Sequence, residues 1–402
     1  MKVLVLNAGS SSIKYQIFNM ENSLVLTSGL MEQIGEQTSR LKYKWIANGS
    51  GEPREAAQEG RIADHGEGLK LILDITMQLG VLHDLNELSG IGHRVVHGGE
   101  AFWKPTLITG KVLDVVRDMI PLAPLHNPAN LMGIEVSRTL CPSVPQVAVF
   151  DTAFHQTMPP VAYHYAIPYR FYKELKVRRY GFHGTSHRFV AKQCAHYLRK
   201  PLMACNLITI HIGNGGSMSA IREGQCVDTT MGMTPLEGLV MGTRSGDIDP
   251  AIPFYLARTL NLKFDEVENI LNKQSGLKGI CGVNDMREIE RMAAGGNFNA
   301  KLAIDMFCYR IRKYIGSYYA VLGTVDSIIF TGGIGENAVE TRLQICSGLE
   351  ALGIVMDAGK NAARVRDMRE ISADNSPVKV MVIPTNEELE IARQTVECLK
   401  GS

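Results

Sequence analysis

Three segments of the chain place small residues where backbone atoms could approach a phosphate group closely. They are Asn7-Ala-Gly-Ser-Ser-Ser-Ile-Lys14, His211-Ile-Gly-Asn-Gly-Gly-Ser217 and Thr331-Gly-Gly-Ile-Gly-Glu-Asn337. Small side chains leave the backbone N–H groups open to an anion, while the serine hydroxyls and Lys14 add further donors and a positive charge. A plain hairpin turn is the alternative for the first segment. The third segment ends a strand and opens a helix, which suits the phosphates or ribose of a nucleotide.

Two arginines stand among small residues in other loops, in Gly92-His-Arg-Val-Val-His-Gly-Gly99 and Met241-Gly-Thr-Arg-Ser-Gly-Asp247. An arginine in a glycine-rich loop has few neighbours to pack against, and its guanidinium group can hold a carboxylate or a phosphate through two hydrogen bonds. A solvated surface arginine is the alternative. The presence of two such loops beside the phosphate-binding segments favours anion binding.

A carboxylate and a histidine complete the set of candidate chemical groups. Asp151 directly follows an apolar run, and ligands of α/β sheets gather at the carboxyl ends of strands, so a metal or catalytic role competes with that of a turn carboxylate. His183 lies between Gly181 and Gly184, ahead of a helix for which Ser186 is the predicted cap. A lone histidine is more often structural, but the flanking glycines favour close approach of a ligand.

Alternating strand and helix signals around these groups predict an α/β fold. Helix start signals occur at Asn127-Pro128, at Asp249-Pro250 and at Thr385, the first residue of a predicted capping box. A long core helix is predicted over 297–322, and 48–68 and 367–377 are predicted to be surface excursions. The predicted strands, each a short apolar run, are Val3–Leu6, Gln146–Phe150, Leu207–Ile212, Ser327–Thr331 and Val378–Ile383.

Composition restricts the class of protein. The 402 residues carry 42 Lys+Arg against 41 Asp+Glu, and 45% are apolar, so we expect a globular protein of two or three domains rather than a disordered chain or a polyanion binder. The N-terminus reads as a buried strand rather than a signal peptide, and no run approaches the roughly 20 apolar residues of a membrane span. Eight scattered cysteines without a CxxC pair argue against a zinc site and favour a reducing cytoplasm.

Known nucleotide fingerprints do not match these segments. The Walker A pattern is absent from the first, and the glycine spacing of the third differs from G-x-G-x-x-G, which makes NAD binding unlikely. The first two phosphate-binding segments are instead similar to each other, because both follow an apolar strand and lead into a second, alternating strand. Their recurrence about 200 residues apart suggests a duplicated fold with two similar halves packed around a cleft.

Taken together, the motifs closely resemble those of the acetate kinase family, in the family's order and over essentially the whole chain. Beyond the segments above, the matching strings are Pro121-Leu-Ala-Pro-Leu-His-Asn-Pro128, Phe150-Asp-Thr-Ala-Phe-His-Gln-Thr-Met158, Arg179-Tyr-Gly-Phe-His-Gly-Thr-Ser-His187 and Pro384-Thr-Asn-Glu-Glu388. One element departs from the family pattern, since Gly282-Val-Asn-Asp285 is one residue shorter than expected.

The resemblance implies the duplicated two-domain fold of sugar kinases, heat-shock ATPases and actin, with ATP in the interdomain cleft. We expect one domain from residues 1–150 plus 386–402 and a second from 151–385. The resemblance also implies a cytoplasmic, homodimeric enzyme that uses Mg²⁺, or Mn²⁺ in its place. This enzyme would transfer a phosphoryl group reversibly from ATP to acetate, giving acetyl phosphate and ADP, without nucleic-acid or membrane partners.

Roles for individual residues follow from the same resemblance. The implied catalytic residues are Arg94, Asp151, His183 and Arg244, with Arg94 also binding the acetate carboxylate. The implied metal ligands are Asn7 and Glu387. The implied walls of the substrate pocket are Val96, Leu125, Phe182 and Pro235. The implied nucleotide-binding residues are Ser10, Ser12, Lys14, His211, Ile212, Gly213, Asn214, Gly215, Asp285, Met286, Arg287, Gly332, Gly333, Ile334, Gly335 and Glu336.

Physical constraints refine this expectation. Acetate has a pKa near that of Glu, about 4.3, so it is ionised at neutral pH and needs no general base. Asp151 is therefore expected to orient the metal or its waters, and the phosphoryl group is expected to pass directly to acetate rather than through Glu387. The family pattern implies that Val96 favours acetate over larger acids. A sugar kinase would need polar readers in the pocket, and an ATP-driven switch would not need two anion-binding arginines.

Overall fold

The computed structural model describes residues 1–46, 52–124, 126–363 and 365–401, which contacts divide into two compact units. Unit 1 comprises Met1–Phe154 and Asn386–Ser402, and unit 2 comprises His155–Thr385. These contacts place Asp151 in unit 1, whereas the expected boundary placed it in the second domain. The domain boundaries inferred from the sequence remain a prediction.

Unit 1 is built on an eight-stranded mixed sheet with the order β5-β4-β3-β2-β1-β6-β8-β7. Strands β1, β6 and β8 are parallel neighbours, and the remaining neighbours are antiparallel. The strands are β1 (Lys2–Ala8), β2 (Ile13–Asn19), β3 (Leu24–Glu32), β4 (Ser39–Trp45), β5 (Arg54–Gly60), β6 (Leu88–Val95), β7 (Thr106–Leu107) and β8 (Gln146–Phe150). The helices are α1 (His65–Gln78), α2 (Gly110–Asp118), α3 (Asn127–Leu140) and α15 (Glu387–Lys400).

Unit 2 contains a six-stranded sheet with the order β11-β10-β9-β12-β14-β13. The strands are β9 (Asn206–Ile212), β10 (Gly216–Arg222), β11 (Gln225–Thr229), β12 (Ser327–Thr331), β13 (Arg369–Glu370) and β14 (Lys379–Val382). The helices are α4 (Pro160–Tyr163), α5 (Arg170–Leu175), α6 (Gly184–Tyr197), α7 (Ala251–Leu260), α8 (Phe264–Lys273), α9 (Gly276–Cys281), α10 (Met286–Ala294), α11 (Phe298–Leu322), α12 (Gly332–Asn337), α13 (Val339–Cys346) and α14 (Ala358–Ala362).

The two sheets share one topology. In unit 1 the run β3-β2-β1 is antiparallel and continues as parallel β6 and β8; in unit 2 the run β11-β10-β9 is antiparallel and continues as parallel β12 and β14. The duplicated α/β fold inferred from two similar hairpins is thereby confirmed. Each predicted strand lies within or overlaps an observed one, because short apolar β-branched runs are suited to a sheet buried on both faces.

The apolar side chains on the sheet faces determine where the helices pack. In unit 1, one sheet face packs on α1 through Leu69, Ile72 and Leu73, and the other packs on α15 through Ile391 and Ala392. In unit 2 the long helix α11 presents buried side chains at helical spacing to its sheet. Asn297 caps this helix, as predicted for a helix over 297–322, by accepting a hydrogen bond from the Ala300 amide.

Three predicted helix caps are wrong. Asn127 is the first residue of α3, and its side chain bonds the backbone of His97; the cap of α15 is Asn386 instead of Thr385. Ser186 lies inside α6, which begins at Gly184. In each case the tertiary structure offers the side chain a partner elsewhere, and a buried polar group must take a partner.

The predicted surface excursions also need correction. The stretch 48–68 contains the edge strand β5 and the start of α1, while residues 47–51 lie outside the described part of the chain. The second excursion, 367–377, contains the short strand β13. None of the helices in the described ranges is both long and apolar enough to cross a membrane.

Candidate active site

In unit 1, three parallel strands and one helix bring charged and polar side chains to a single sheet edge. Asn7 lies at the end of β1, Arg94 near the end of β6, and Asp151 directly after β8. Because parallel strands end at the same edge, these three residues are neighbours. Helix α15 begins at the same place and contributes Glu387, as the ion-pair distance to Arg94 shows.

The central contact of this group is a two-point ion pair. Arg94 Nη2 donates to Asp151 Oδ2 at 2.7 Å, and Arg94 Nε donates to both carboxylate oxygens at 3.1–3.2 Å. Glu387 Oε2 lies 4.0 Å from Arg94 Nε. The Asp151 side chain is only 2% exposed and the Arg94 side chain 23%, so water screens their attraction weakly. Arg94 Nη1 makes no hydrogen bond within the described residues, which leaves it able to bind a second anion.

Charge and burial shift the protonation equilibria of this group. Asp151 raises the pKa of Arg94, with Glu387 adding to the effect against the cost of burial. Burial raises the pKa of Glu387 above its ordinary value; Asp151 and Glu388 raise it further, while Arg94 opposes them. Glu388 is itself paired with Lys14, which follows the serine turn on β2. The three carboxylates outnumber the two cations, which favours a bound cation.

The serine turn itself is tight and open to solvent. The amide of Gly9 donates to the carbonyl of Ser12 at 2.8 Å, and Ser10 is exposed whereas Ser12 is partly buried. Val96 follows Arg94 and is buried, with its amide held by Asn130 at 3.0 Å. Leu125, the other pocket residue expected in this unit, lies outside the described residues.

In unit 2, the glycine turn between β9 and β10 is the meeting point of a second group. A Cβ atom placed on Gly215 would lie 3.5 Å from Arg244 Nη1 and 3.6 Å from His183 Cε1. The turn holds the arginine loop through the Asn214 carbonyl, which accepts from the Gly242 amide at 2.9 Å. The Cβ position of Gly215 is therefore within van der Waals distance of both Arg244 and His183, and a side chain there would contact both.

Arg244 differs from Arg94 in its partners. Its Nη1 reaches the carbonyl of Pro235 at 3.4 Å, and in the described ranges no carboxylate lies within 4.0 Å of its guanidinium group. Burial lowers the pKa of Arg244 from its ordinary value, and no opposite charge compensates. A partly buried cation without a counter-ion is an anion-binding group by its electrostatics.

His183 caps α6 with a left-handed backbone, φ +58°. Its ring stacks on that of His211 with centroids 4.3 Å apart, and its Nδ1 lies 2.8 Å from Ser217 Oγ. Phe182 is buried beside it, with its carbonyl 2.9 Å from His155 Nε2. The structure thus gathers His183, His211, Arg244 and the glycine turn in one part of unit 2.

The second glycine loop lies next to the first, because β12 pairs with β9 in parallel. Gly332 has φ +78°, and a Cβ there would lie 2.8 Å from the Ile212 carbonyl, so only glycine fits. The Glu336 carboxylate accepts from the amides of Gly332 at 3.0 Å and Thr385 at 3.2 Å. Gly335 packs on Ile212, and Gly333 lies near Gly213.

The remaining predicted nucleotide residues are linked to this region through Asn284, whose side chain donates to Asn214 Oδ1 at 3.0 Å. Asp285 caps α10 and is paired with the highly exposed Arg287, so both can reach a ligand in solvent. The Met286 side chain is 4% exposed and belongs to the core of unit 2. That side chain packs on protein, which leaves the backbone of Met286 for any nucleotide contact.

Sequence reasoning missed several residues that hold the predicted ones in place. Ser186 Oγ lies 2.8 Å from His211 Nδ1 and donates to Thr385 Oγ1 at 2.8 Å. Arg342, a fully buried cation, donates to the Gly335 carbonyl at 2.9 Å, and burial lowers its pKa to about 10. Ser186 and Thr385 stand inside quoted motifs, whereas no sequence signal distinguishes Arg342.

Comparison with known proteins decides the family. The model of the Acetokinase family matches residues 2–393. The chain belongs to the acetokinase family. An acetate kinase from Syntrophobacter fumaroxidans is 52% identical over 100% of this chain and 97% of its own length. Among solved acetokinase structures, the acetate kinase of Porphyromonas gingivalis has a TM-score of 0.93 at 44% identity, covering 99% of each chain. A propionate kinase from Francisella tularensis has a TM-score of 0.90 at 44% identity, covering 98% of this chain and 99% of its own.

Proposed function

We propose that the protein transfers the γ-phosphoryl group of ATP reversibly to acetate, forming acetyl phosphate and ADP. Membership of the acetokinase family and the names of its relatives support this activity. The observation that carries the chemical argument is Arg244, a partly buried cation without a carboxylate partner, beside a glycine turn and His183. Such a group suits the negative charge of a transferring phosphoryl group.

The acetate end of the reaction is assigned to Arg94. Acetate is ionised at neutral pH, so the reaction needs an anion-binding group and no general base. Two nitrogens of Arg94 are committed to Asp151, and the remaining Nη1 can bind the acetate carboxylate. Asp151 is already engaged by the guanidinium and buried, which supports an orienting role over proton removal.

Phosphoryl transfer from ATP to a carboxylate brings two anions together, and their repulsion is the main obstacle. Arg244 and His183 would stabilise the phosphoryl oxygens, and each N–H donor aimed at developing charge contributes about 2–4 kcal/mol to the barrier reduction. The nucleotide would lie along His211–Gly215 and Gly332–Glu336, with Asp285–Arg287 near the adenosine and Ser10, Ser12 and Lys14 near the phosphates. These assignments rest on the family resemblance and on the neighbourhood of both glycine loops.

Magnesium is the metal that the family implies, and the residues present fit it. The amide oxygen of Asn7 and the carboxylate of Glu387 are the hard oxygen ligands that Mg²⁺ takes, and Mn²⁺ accepts the same set. No cluster of three or more His, Cys, Asp or Glu side chains suited to a metal occurs in the described ranges. Mg²⁺ does not require one, because it usually keeps waters and binds substrate phosphates through one or two carboxylates. When bound, it would neutralise phosphate charge.

Direct transfer and double transfer make different stereochemical predictions. In direct in-line transfer the phosphorus configuration inverts, whereas passage through a carboxylate such as Glu387 involves two displacements and retains it. Glu387 Oε2 lies 4.0 Å from Arg94 Nε, and we assign this carboxylate to the metal rather than to phosphoryl transfer. The test is transfer from chiral [γ-¹⁸O,¹⁷O,¹⁶O]ATP analogues; retention would overturn direct transfer.

Substrate size tests the specificity part of the proposal. The family resemblance implies that Val96, Leu125, Phe182 and Pro235 would line the substrate pocket; all four are apolar, a poor match for sugar hydroxyls. One methylene changes discrimination by about 1–3 kcal/mol, so weaker propionate activity is expected. The assay traps acyl phosphates as hydroxamates, with acetate, propionate and butyrate compared side by side. Glucose forms no hydroxamate, so its phosphorylation is followed in parallel by ADP release. A higher kcat/KM for propionate would refute the acetate assignment, and phosphorylation of glucose alone would favour a sugar kinase.

A homodimer is the proposed assembly, and unit 2 offers a surface for it. Six large apolar side chains on α7, α8 and α11 are more than half exposed: Phe254, Tyr255, Leu260, Phe264, Phe298 and Tyr309. Exposed apolar side chains in such number are typical of a protein–protein interface. Sedimentation equilibrium should give a dimer mass, and Phe264→Glu should weaken association; a monomer at micromolar wild-type protein would contradict this.

All eight cysteines are free, which supports a cytoplasmic location.

A further inference from the structure

Three buried polar side chains of unit 2 form a continuous hydrogen-bonded chain that ends at the partly buried His183. Thr209 Oγ1 lies 2.7 Å from His187 Nδ1, and His187 Nε2 lies 2.8 Å from Ser217 Oγ. The same Ser217 Oγ lies 2.8 Å from His183 Nδ1. Thr209, His187 and Ser217 are each fully buried, so no solvent competes for these bonds.

His187 carries a single ring proton, which is on either Nδ1 or Nε2. Burial lowers the pKa of His187 well below its ordinary value, and the neighbouring His155 and His211 lower it further, so the ring is neutral. A neutral imidazole donates from one nitrogen and accepts at the other. The direction of the whole chain therefore depends on whether Thr209 gives a proton to His187 or receives one.

The distances around Thr209 select the direction. Its hydroxyl has one proton and two possible acceptors, His187 Nδ1 at 2.7 Å and the Ser219 carbonyl at 3.4 Å. If Thr209 donates to His187 Nδ1, its proton lies in the short hydrogen bond. If His187 Nδ1 donates instead, the buried Thr209 proton is left with only the long contact to the Ser219 carbonyl. An unmade hydrogen bond of a buried donor is costly, so Thr209 donates to His187.

We infer that Thr209, His187 and Ser217 are positioning residues that hold His183 as the tautomer protonated on Nε2. With Thr209 donating to Nδ1 of His187, the His187 Nε2–H donates to Ser217 Oγ. The Ser217 hydroxyl then donates to Nδ1 of His183, whose single proton is on Nε2. A neutral His183 is thereby an N–H donor at Nε2; that this N–H meets a phosphoryl oxygen in the reaction rests on the proposed function.

The surroundings of His183 favour a neutral ring as that donor. His211 stacks on it at 4.3 Å, and Arg244 Nη1 and His183 Cε1 lie within 3.6 Å of the same Gly215 Cβ position. A positive charge on the His183 ring would therefore lie beside an existing guanidinium charge, a repulsion that a neutral donor avoids. The chain of hydroxyl and imidazole groups makes that neutral donor possible.

Nitrogen-15 NMR of the full-length enzyme, labelled in histidine, tests the tautomer directly. We expect His183, identified by the signals lost in His183→Gln, to show a protonated Nε2 and a bare Nδ1 at pH 8, where a histidine of ordinary pKa is neutral. Ser217→Ala should shift the Nδ1 signal, since that nitrogen loses its donor. A ring protonated on Nδ1, alone or together with Nε2, overturns the inference whatever the activity.

Kinetics test whether this arrangement matters for the reaction. Ser217→Ala should lower kcat about tenfold with little change in the KM for ATP, and Ser217→Cys, with the volume nearly kept and a weaker donor, should fall between. The matched control is Ser137→Ala, which removes a buried serine near His93 (Oγ to Nε2, 3.2 Å) in unit 1 and should leave kcat unchanged.

The two sets of results separate the inference from the proposed function. If the expected tautomer is observed while Ser217→Ala and Ser217→Cys keep wild-type kcat, the positioning role is refuted. If His183→Gln also keeps wild-type kcat, the proposed phosphoryl contact of His183 fails as well. If Ser217→Ala does not fold, the kcat of Ser217→Cys and the tautomer of His183 in the wild-type enzyme still test the inference.

Discussion

Replacing Arg94 by alanine should destabilise unit 1 as well as impair acetate binding. Arg94 is the partner of Asp151, whose side chain is 2% exposed, and removing it leaves a buried carboxylate without a counter-ion. Breaking a buried pair in this way costs about 3–5 kcal/mol. Because the Arg94 side chain is 23% exposed, water can partly replace it, and we expect the lower end, about 3 kcal/mol.

The assay is thermal unfolding, followed by calorimetry without ligands. For a unit of this size, 3 kcal/mol corresponds to a fall in Tm of about 6–12 °C. Arg94→Ala combined with Asp151→Asn removes the unpaired charge, so the double variant should regain much of the lost Tm while remaining impaired in acetate KM. The control is Arg117→Ala, whose ion pairs with Asp114 and Glu135 are half exposed and are worth at most about 1 kcal/mol.

Two outcomes would refute this reasoning. A wild-type Tm for Arg94→Ala would mean that the ion pair contributes nothing to stability. A double variant no more stable than the single one would mean that the loss comes from packing of the arginine side chain rather than from the charge of Asp151. The first result would also allow the loss of acetate binding to be interpreted without a correction for folding.

Three further predictions test separate parts of the structure. Arg244→Ala should lower kcat by raising the activation barrier about 2–4 kcal/mol, at nearly unchanged Tm. The Tm should change little because removing this arginine leaves no carboxylate without a counter-ion; a large fall in Tm would contradict that. Burial lowers the pKa of His93 to about 4, so the unfolded state takes up a proton at a higher pH than the folded state does. In urea unfolding, the free energy of unfolding should therefore fall by about 2 kcal/mol between pH 7 and pH 5, and His93→Gln should remove this fall. Gly215→Ala should fold normally and lose activity, since its Cβ enters the space beside Arg244, whereas Gly332→Ala should lower the Tm because of its positive φ; equal Tm values would refute the distinction.

The sequence determined the elements and the residue types of the candidate site. Apolar β-branched runs such as Ser327–Thr331 favour buried strands, and the strand, turn and strand of the two halves are local features, so they indicated the duplicated α/β fold. Asp151 was found in the same way, because a carboxylate directly after a buried strand must stand at the sheet edge. The roles given to individual site residues came from a resemblance of whole motifs, and they remain predictions.

Only the tertiary structure decided which side chains become partners. The capping signals at Thr385 and Ser186 were read from neighbours in sequence, yet these two hydroxyls bond each other across 199 positions of the chain. Arg94 and Arg244 stand in similar glycine-rich motifs, but Arg94 lies on β6 and is neutralised by Asp151, whereas Arg244 lies in a loop and has no counter-ion in the described part of the chain. The physical reason is that local preference sets backbone conformation, whereas the partner of a buried polar group depends on what folding brings within hydrogen-bond distance.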